Sequence, residues 1–184
     1  SFVRQIENQN LHALNIPELT IITPAALQTE AERVAQLHRE EGLTVAVIEQ
    51  EKIFNEFSSG TPDASAYRRL MKMFYDRAEG NENVRPRYLL LFGDGSYNNR
   101  KSMEKLHSPE CNMLLTYQSK TSIDERESFV IEDYFGFLED NSGEEIKVDK
   151  VCLGIGRFPI SSIKNARLVV DKLYRYVHDK DFSS

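Results

Sequence analysis

The sequence has little cysteine, no excess of positive charge and no long apolar run, and each shortage excludes a class of protein. Only Cys111 and Cys152 occur among 184 residues, too few for a disulfide-dense scaffold or a four-cysteine zinc site. The 23 lysines and arginines are outnumbered by 29 acidic residues, so nucleic acid is not expected as the main partner. Because no stretch of about 20 apolar residues occurs, no transmembrane segment is expected.

Enough apolar residues remain to build a core. Hydrophobic residues make up 40% of the chain and aromatic residues 10%, and the length suits one domain of about 100–200 residues. The chain starts without methionine, and we interpret it as a piece of a longer protein. Residues 1–18 are predicted to be a connector from an upstream domain, and 19–180 to be one α/β subdomain. The two thiols are expected to form no disulfide, with Cys152 buried.

Short apolar runs alternate with segments of helical periodicity. The runs predict strands at 19–22, 44–48, 88–92, 113–117 and 151–156, and the periodic segments predict helices at 24–41, 51–57, 61–78 and 162–178. The first helix is expected to take Thr23 as its N-cap. This order predicts a Rossmann-like three-layer αβα fold, with a mostly parallel sheet of about four to five strands. Sites in such sheets form at the carboxyl ends of the strands, which here gather Thr23, Asp94 and the loops after Tyr117 and Gly156 at one rim.

The remaining segments are predicted to be irregular or solvent-facing. Polar composition predicts loops at 97–110 and 118–128. Residues 130–138 are expected to be extended and to pair with 146–149 in a hairpin-like insertion. The polar side of the third helix is interpreted as a solvated face, formed by Arg68, Arg69, Lys72 and Asp76.

Asp94 is the first candidate for chemistry, because Gly93 and Gly95 flank it directly after the strand at 88–92. The glycines would permit backbone angles that let the carboxylate project from the rim. Asp94 then either caps backbone N–H groups of a turn or supplies one carboxylate of a calcium site, with Glu132-Asp133 supplying a second. The acidic stretch formed by Glu139, Asp140, Glu144 and Glu145 is interpreted as a solvated hairpin tip.

Two further sequence patterns indicate neither a dinucleotide-binding site nor a catalytic Cys–His pair. The glycines in 154–159 are not a dinucleotide-binding fingerprint, because Pro159 occupies the place of a third glycine; close backbone packing explains them better. His107 and Cys111 flank Pro109 in a polar segment without an orienting partner, so a catalytic Cys–His pair is not favoured there. Composition and spacing therefore indicate an α/β domain with an acidic rim.

Several motifs extend this interpretation. The chain resembles the gingipain-type cysteine peptidases, and among them the sortases of the type IX secretion system, over nearly its whole length. The motifs that carry the resemblance are Phe2-Val3-Arg4-Gln5, Asn55-Glu56-Phe57-Ser58-Ser59-Gly60-Thr61-Pro62-Asp63-Ala64, Leu90-Leu91-Phe92-Gly93-Asp94-Gly95-Ser96-Tyr97, Asp133-Tyr134-Phe135-Gly136-Phe137-Leu138 and Gly156-Arg157-Phe158-Pro159.

The resemblance implies a specific place in a larger enzyme. Gingipain-type catalytic regions have a Rossmann-like first subdomain and a caspase-like second subdomain, which carries a His-Gly motif and the nucleophilic cysteine. This chain matches the first and contains no His-Gly dipeptide, so it is expected to be a non-catalytic scaffold whose partner is the downstream caspase-like subdomain. Such sortases remove C-terminal sorting domains from secreted cargo and link the cargo to lipopolysaccharide. The resemblance therefore also implies type IX secretion components and cargo domains as partners, and a cell-surface location.

The resemblance also implies a calcium site. Asp94 and Asp133 fall on its two carboxylate positions, and the carbonyls of Val130 and Phe135 would complete it. The family's further glutamate is replaced here by Phe137.

Two other interpretations stay open at this point. In a receiver-like signalling domain Asp94 would be the phosphoacceptor, but such a domain needs paired acids after its first strand, where this chain has Thr23-Pro24-Ala25-Ala26. Phosphorylation by a small phosphodonor with magnesium would identify it. The third interpretation is an interaction module with no link to peptidase activity.

Overall fold

The computed structural model describes residues 8–104, 106, 108, 110–119, 128–145 and 148–178. The described strands are β1 (Leu19–Thr23), β2 (Val45–Glu49), β3 (Tyr88–Phe92), β4 (Asp94–Gly95), β5 (Met113–Leu114) and β6 (Gly154–Phe158). The described helices are α1 (Gln28–Glu40), α2 (Gln50–Phe57), α3 (Ser65–Arg77), α4 (Asn99–Glu104) and α5 (Ile163–His178). None of these helices combines the length and the apolar character that crossing a bilayer requires.

The predicted parallel sheet is confirmed. Its strand order is β2-β1-β3-β6, and every neighbouring pair is parallel. Leu19 of β1 lies opposite Val45 on one side and Tyr88 on the other. β4 and β5 form a separate two-residue parallel pair. Since β4 begins two residues after β3 ends, this pair lies at the carboxyl end of the main sheet.

Alternate residues of the strands pack into two cores on opposite faces of the sheet. Leu19 and Ile21 of β1 join the cluster that contains α1 and α5 residues. Ile22 of β1 joins the cluster that contains α2 and α3 residues, together with Leu89 and Leu91 of β3. Burial on both faces explains why these strands are almost continuously apolar, and it confirms the three-layer αβα architecture.

The start of α1 differs from the prediction. A 3₁₀ turn at Ala25–Leu27 precedes the helix, and Thr23 does not cap it. Thr23 is instead the last residue of β1, and its hydroxyl donates to the carbonyl oxygen of Phe92 at 3.2 Å. The hydroxyl therefore ties together the carboxyl ends of β1 and β3. The end of α1 agrees with the prediction, because Gly42 follows it with a φ of 93°.

The segments between β3 and β6 also differ from the prediction. Asp133–Gly136 is a short 3₁₀ helix and not part of an extended hairpin arm; of its predicted partner 146–149, residues 146 and 147 lie outside the described residues. Val130 forms an antiparallel bridge with Gln118. The predicted loop 97–110 contains α4, and β5 covers only the first two residues of the predicted strand 113–117. β6 begins three residues later than predicted.

The described part of the predicted connector is bound to α2. The carboxylate of Glu56 accepts hydrogen bonds from the backbone N–H of Leu11 and from the side-chain amide of Gln9, each at 2.8 Å. Gln9 also donates to the carbonyl oxygen of Lys52 at 2.7 Å. Residues 9–11 therefore follow the surface of α2.

Thr20, in the middle of β1, offers a stability test. Its side chain is fully buried, and its hydroxyl has no hydrogen-bond partner among the described residues. Because an unsatisfied buried hydroxyl is destabilising, we expect Thr20→Val to raise the free energy of unfolding by about 1 kcal/mol. The measurement is urea unfolding of both proteins.

Thr23 in the same strand is the matched control. It is equally buried, but its hydroxyl is hydrogen-bonded, so Thr23→Val should lower the free energy of unfolding by about 1 kcal/mol. A loss of stability in both variants would contradict the interpretation of Thr20.

Candidate functional site

Arg157 joins the chain segments that meet at the carboxyl end of the sheet. Its Nη1 donates to the carbonyl oxygens of Gly93 and Asp94, each at 3.2 Å. Its Nη2 donates to the carbonyl oxygen of Leu115 at 3.3 Å. Only 13% of the side chain is exposed. The end of β6 is thereby tied to β4 and to the residue after β5. We call residues 93–95, 113–116, Glu132 and Arg157 the rim.

Glu132 supplies the counter-charge in the rim. Its Oε1 accepts from Nε of Arg157 at 2.9 Å, and its Oε2 accepts from Nη2 at 3.1 Å, which makes the pair bidentate. Burial raises the pKa of the Glu132 carboxyl, and this effect outweighs the opposing attraction of Arg157. The paired charges therefore lie in a partly desolvated position that connects residues 128–138 to the sheet.

Gly93 and Gly95 are required beside Asp94 because a side chain would not fit there, and not because their backbone angles are unusual. Neither Gly93 nor Gly95 has a positive φ, so the expectation of special backbone angles is wrong. A Cβ on Gly95 would lie 3.0 Å from a methyl carbon of Thr116 and 3.3 Å from Cζ of Arg157. A Cβ on Gly93 would lie 3.0 Å from the carbonyl oxygen of Asn112. The absent side chains make room for β5 and for the guanidinium.

Asp94 itself acts as a local cap. Its Oδ1 accepts from the backbone N–H of Gly95 at 2.9 Å, while its carbonyl oxygen accepts from Arg157. The structure therefore favours the turn-capping interpretation of Asp94 over the calcium-ligand one.

The other predicted calcium ligands have different surroundings. Asp133 is exposed and begins the 3₁₀ helix, Val130 lies in the bridge to Gln118, and the ring of Phe135 is fully buried. Within the described ranges, no group of three or more histidine, cysteine, aspartate or glutamate side chains could hold a metal ion. Calcium binding by Asp94, Asp133 and the carbonyls of Val130 and Phe135 therefore stays a prediction.

The expectation that Cys152 is buried is wrong. Neither cysteine forms a disulfide; Cys111 is buried, with 4% exposed, whereas Cys152 is half-buried. Cys152 lies at the amino end of β6, where Tyr88 packs 3.2 Å from the Cβ position of Gly154. The close packing expected of the β6 glycines thus holds at Gly154 but not at Gly156, where a Cβ would meet nothing within 4 Å.

The described histidines contact groups other than the two thiols. His12 lies 3.7 Å from Glu56 and packs on Phe57, and the ring of His38 lies 3.0 Å from Glu41. His178 packs against Tyr174. His107, which the sequence places near Cys111, lies outside the described residues.

The polar side of α3 is more than a solvated face. Arg68 donates to the carbonyl oxygens of Phe137 and Ser142, each at 2.7 Å, and lies over the ring of Tyr134. Lys72 binds Asp140 at 2.9 Å, which lowers the pKa of that carboxyl. α3 therefore anchors residues 134–142, including part of the acidic stretch.

Sequence reasoning did not assign Arg157 a structural role. The signal was present as a single arginine inside an otherwise uncharged strand. Its partners lie 25 to 64 residues away in sequence, so no local spacing identifies them.

Comparisons with known proteins agree with this architecture. The profile of peptidase family C25 matches residues 12–184. The crystal structure of dimeric latent PorU from Porphyromonas gingivalis is 44% identical in sequence, with a TM-score of 0.83, and the match covers 96% of this chain and 17% of that one. A structure described only as a protease, 12% identical with a TM-score of 0.57, covers 86% of this chain and 27% of its own, and it supports the fold alone. No curated protein matches the chain.

Proposed function

This chain belongs to peptidase family C25, and we propose that it forms the first, non-catalytic subdomain of a sortase-type cysteine peptidase. The chain spans only 17% of the PorU chain that it matches, so most of such a protein lies outside it. Family membership also argues against the receiver-like interpretation.

The burial of Cys111 is the observation that carries the non-catalytic assignment. A nucleophilic thiol must be accessible to the substrate and must be activated by a positioned base. Cys111 is 4% exposed, and its Sγ lies 3.8 Å from the carbonyl oxygen of Met113. The Cys152 thiol lies within hydrogen-bonding reach of the Tyr75 hydroxyl, whose pKa rises through burial and through this thiol. These surroundings support two structural thiols.

The reaction would then occur in the downstream caspase-like subdomain of the parent protein. There a cysteine thiolate would attack the peptide bond before the sorting domain of the cargo and form an acyl-enzyme. An amine of surface lipopolysaccharide would release the cargo by aminolysis. This proposal places the parent protein at the cell surface with type IX secretion components, and this chain's residues would support the catalytic subdomain.

The outer face of α5 and the edge strand β6 are the proposed contact with that subdomain. α5 buries only Ala166 and Val170 completely, whereas Leu168 is 59% exposed and Tyr176 71%. The apolar residues of this helix are therefore only partly covered. Next to it, an apolar groove of about 640 Å³ includes Leu90 and Phe158 among its lining residues. Most of the PorU chain lies outside the part that this chain matches. We therefore propose that the caspase-like subdomain of the parent protein covers this surface.

We expect the isolated chain to show no peptide cleavage, with or without reductant, because within the described residues no thiol is both accessible and paired with an activating base. The measurement is hydrolysis and aminolysis of a fluorogenic peptide by the isolated chain and by the parent protein, with Cys111→Ala and Cys152→Ala tested alongside. Thiol-dependent cleavage by the isolated chain that Cys111→Ala abolishes would overturn the assignment.

The same cleavage assay, applied to the parent protein, tests the proposed contact between α5 and the caspase-like subdomain. Leu168→Asp places a charge on the proposed interface, and Val148→Asp, at an apolar residue 74% exposed elsewhere, is the matched control. Leu168→Asp should lower cleavage by the parent protein at least about tenfold, because one buried unpaired charge costs more than about 1.4 kcal/mol. The melting temperature of the isolated chain should stay unchanged. Equal effects of the two substitutions would place the contact elsewhere.

A further inference from the structure

Five oxygen acceptors converge on one side chain at the rim. Three are the carbonyl oxygens of Gly93, Asp94 and Leu115, and two are the carboxylate oxygens of Glu132. Backbone carbonyls and a bidentate carboxylate from irregular segments are the ligands that calcium prefers in proteins. In this protein they all contact the guanidinium of Arg157.

We propose that Arg157 is a resident cation that occupies these acceptors, so that they cannot hold a metal ion at the carboxyl end of the sheet. The rim is then ordered without calcium, although the fold family suggests a calcium site nearby. The expected ligand Asp94 takes part through its carbonyl oxygen, and the acid that reaches the rim is Glu132 instead of its neighbour Asp133.

Charge and geometry both support this role of Arg157. The guanidinium is planar, stays charged and carries five N–H donors in a fixed fork, which suits acceptors spread over several segments. Glu132 is already neutralised by Arg157. A divalent ion brought beside this largely buried guanidinium would meet repulsion that little solvent screens. Gly95 makes the arrangement possible, because its Cβ position lies 3.3 Å from Cζ of Arg157.

Thermal melting of the chain in calcium, in magnesium and in a chelator tests the proposal. The melting temperature of the wild-type protein should agree within about 1 °C in all three solutions. Arg157→Met should lower it by roughly 10 °C, because the substitution leaves Glu132 and three carbonyl groups without their donor.

Arg87→Met is the matched control. Arg87 lies at the amino end of the same sheet, binds Glu18 at 3.3 Å and is 52% exposed. Its substitution should lower the melting temperature by no more than about 3 °C, since exposed ion pairs contribute little.

Two outcomes would overturn the proposal. The first is a stabilisation of the wild-type protein by calcium that magnesium does not reproduce and that Asp94→Asn removes. The second is an equal loss in Arg157→Met and Arg87→Met. If Arg157→Met does not fold, Arg157→Lys replaces it, because an ammonium keeps the charge but cannot reach all five acceptors. An intermediate loss then supports the proposal, and wild-type stability contradicts it.

Discussion

Phe135→Ala should destabilise the protein by about 3–5 kcal/mol. The ring of Phe135 is fully buried, and it packs against Tyr67 at 5.5 Å and against Tyr134 at 5.9 Å between ring centroids. Truncation removes this buried area and leaves a cavity between α3 and the 3₁₀ helix at 133–136. Urea unfolding followed by circular dichroism measures the loss.

Phe129→Ala is the control for this substitution. Phe129 belongs to the same stretch of chain but is 41% exposed, so its truncation should cost less than about 1 kcal/mol. If Phe135→Ala does not fold, Phe135→Leu should still fold with a smaller loss. Equal losses at Phe135 and Phe129 would show that the 3₁₀ segment contributes little to the core.

Phe135 also shows where prediction from the sequence reached its limit. Strand β1 could be predicted because it is a short apolar run in which all five residues are buried, with side chains in the cores on both faces of the sheet. The stretch Tyr134–Leu138 is also apolar, and all five of its residues are buried. Its burial comes from packing between α3 and β6 and not from pairing in the sheet. An apolar run without periodicity does not distinguish these two environments.

The rim was predicted only in part for a related reason. The rule that sites form at the carboxyl ends of parallel strands placed Asp94 correctly at that end, where it pairs with Met113 of β5. It could not select Arg157, because an arginine at an edge strand is usually solvent-facing. The role of Arg157 depends on contacts with residues 93, 115 and 132. Only the tertiary structure brings these residues together.

The side chain of Tyr67 connects the buried core to β5 and to the residue that follows it, which form part of the rim. Its hydroxyl donates to Oε1 of Gln50 at 2.7 Å and accepts from the backbone N–H of Leu115 at 3.3 Å. Gln50 in turn donates to the carbonyl oxygen of Met113 at 2.9 Å. A buried chain of hydrogen bonds therefore runs from α3 through α2 to β5, which carries one edge of the rim.

Tyr67→Phe should lower the free energy of unfolding by about 2 kcal/mol at pH 7, because it leaves buried groups of Gln50 and Leu115 without a partner. The control is Tyr176→Phe, which removes a hydroxyl from a side chain 71% exposed and should change stability by less than about 0.5 kcal/mol. Urea unfolding again provides the measurement. A loss at Tyr67 no larger than the control would show that water replaces the missing hydroxyl.

The same hydroxyl should also make the protein sensitive to alkali. Burial raises the pKa of Tyr67 well above its ordinary value near 10, so the folded state holds this proton more tightly than the unfolded state. The resulting stability is fully present below pH 10, the unfolded pKa, and is lost as the pH rises from there towards the folded pKa, at up to about 1.4 kcal/mol per pH unit. Unfolding measured between pH 9 and pH 11 should therefore show a steeper loss in the wild-type protein than in Tyr67→Phe. Equal slopes would mean that other groups cause the alkaline instability, because the substitution removes this proton from both states.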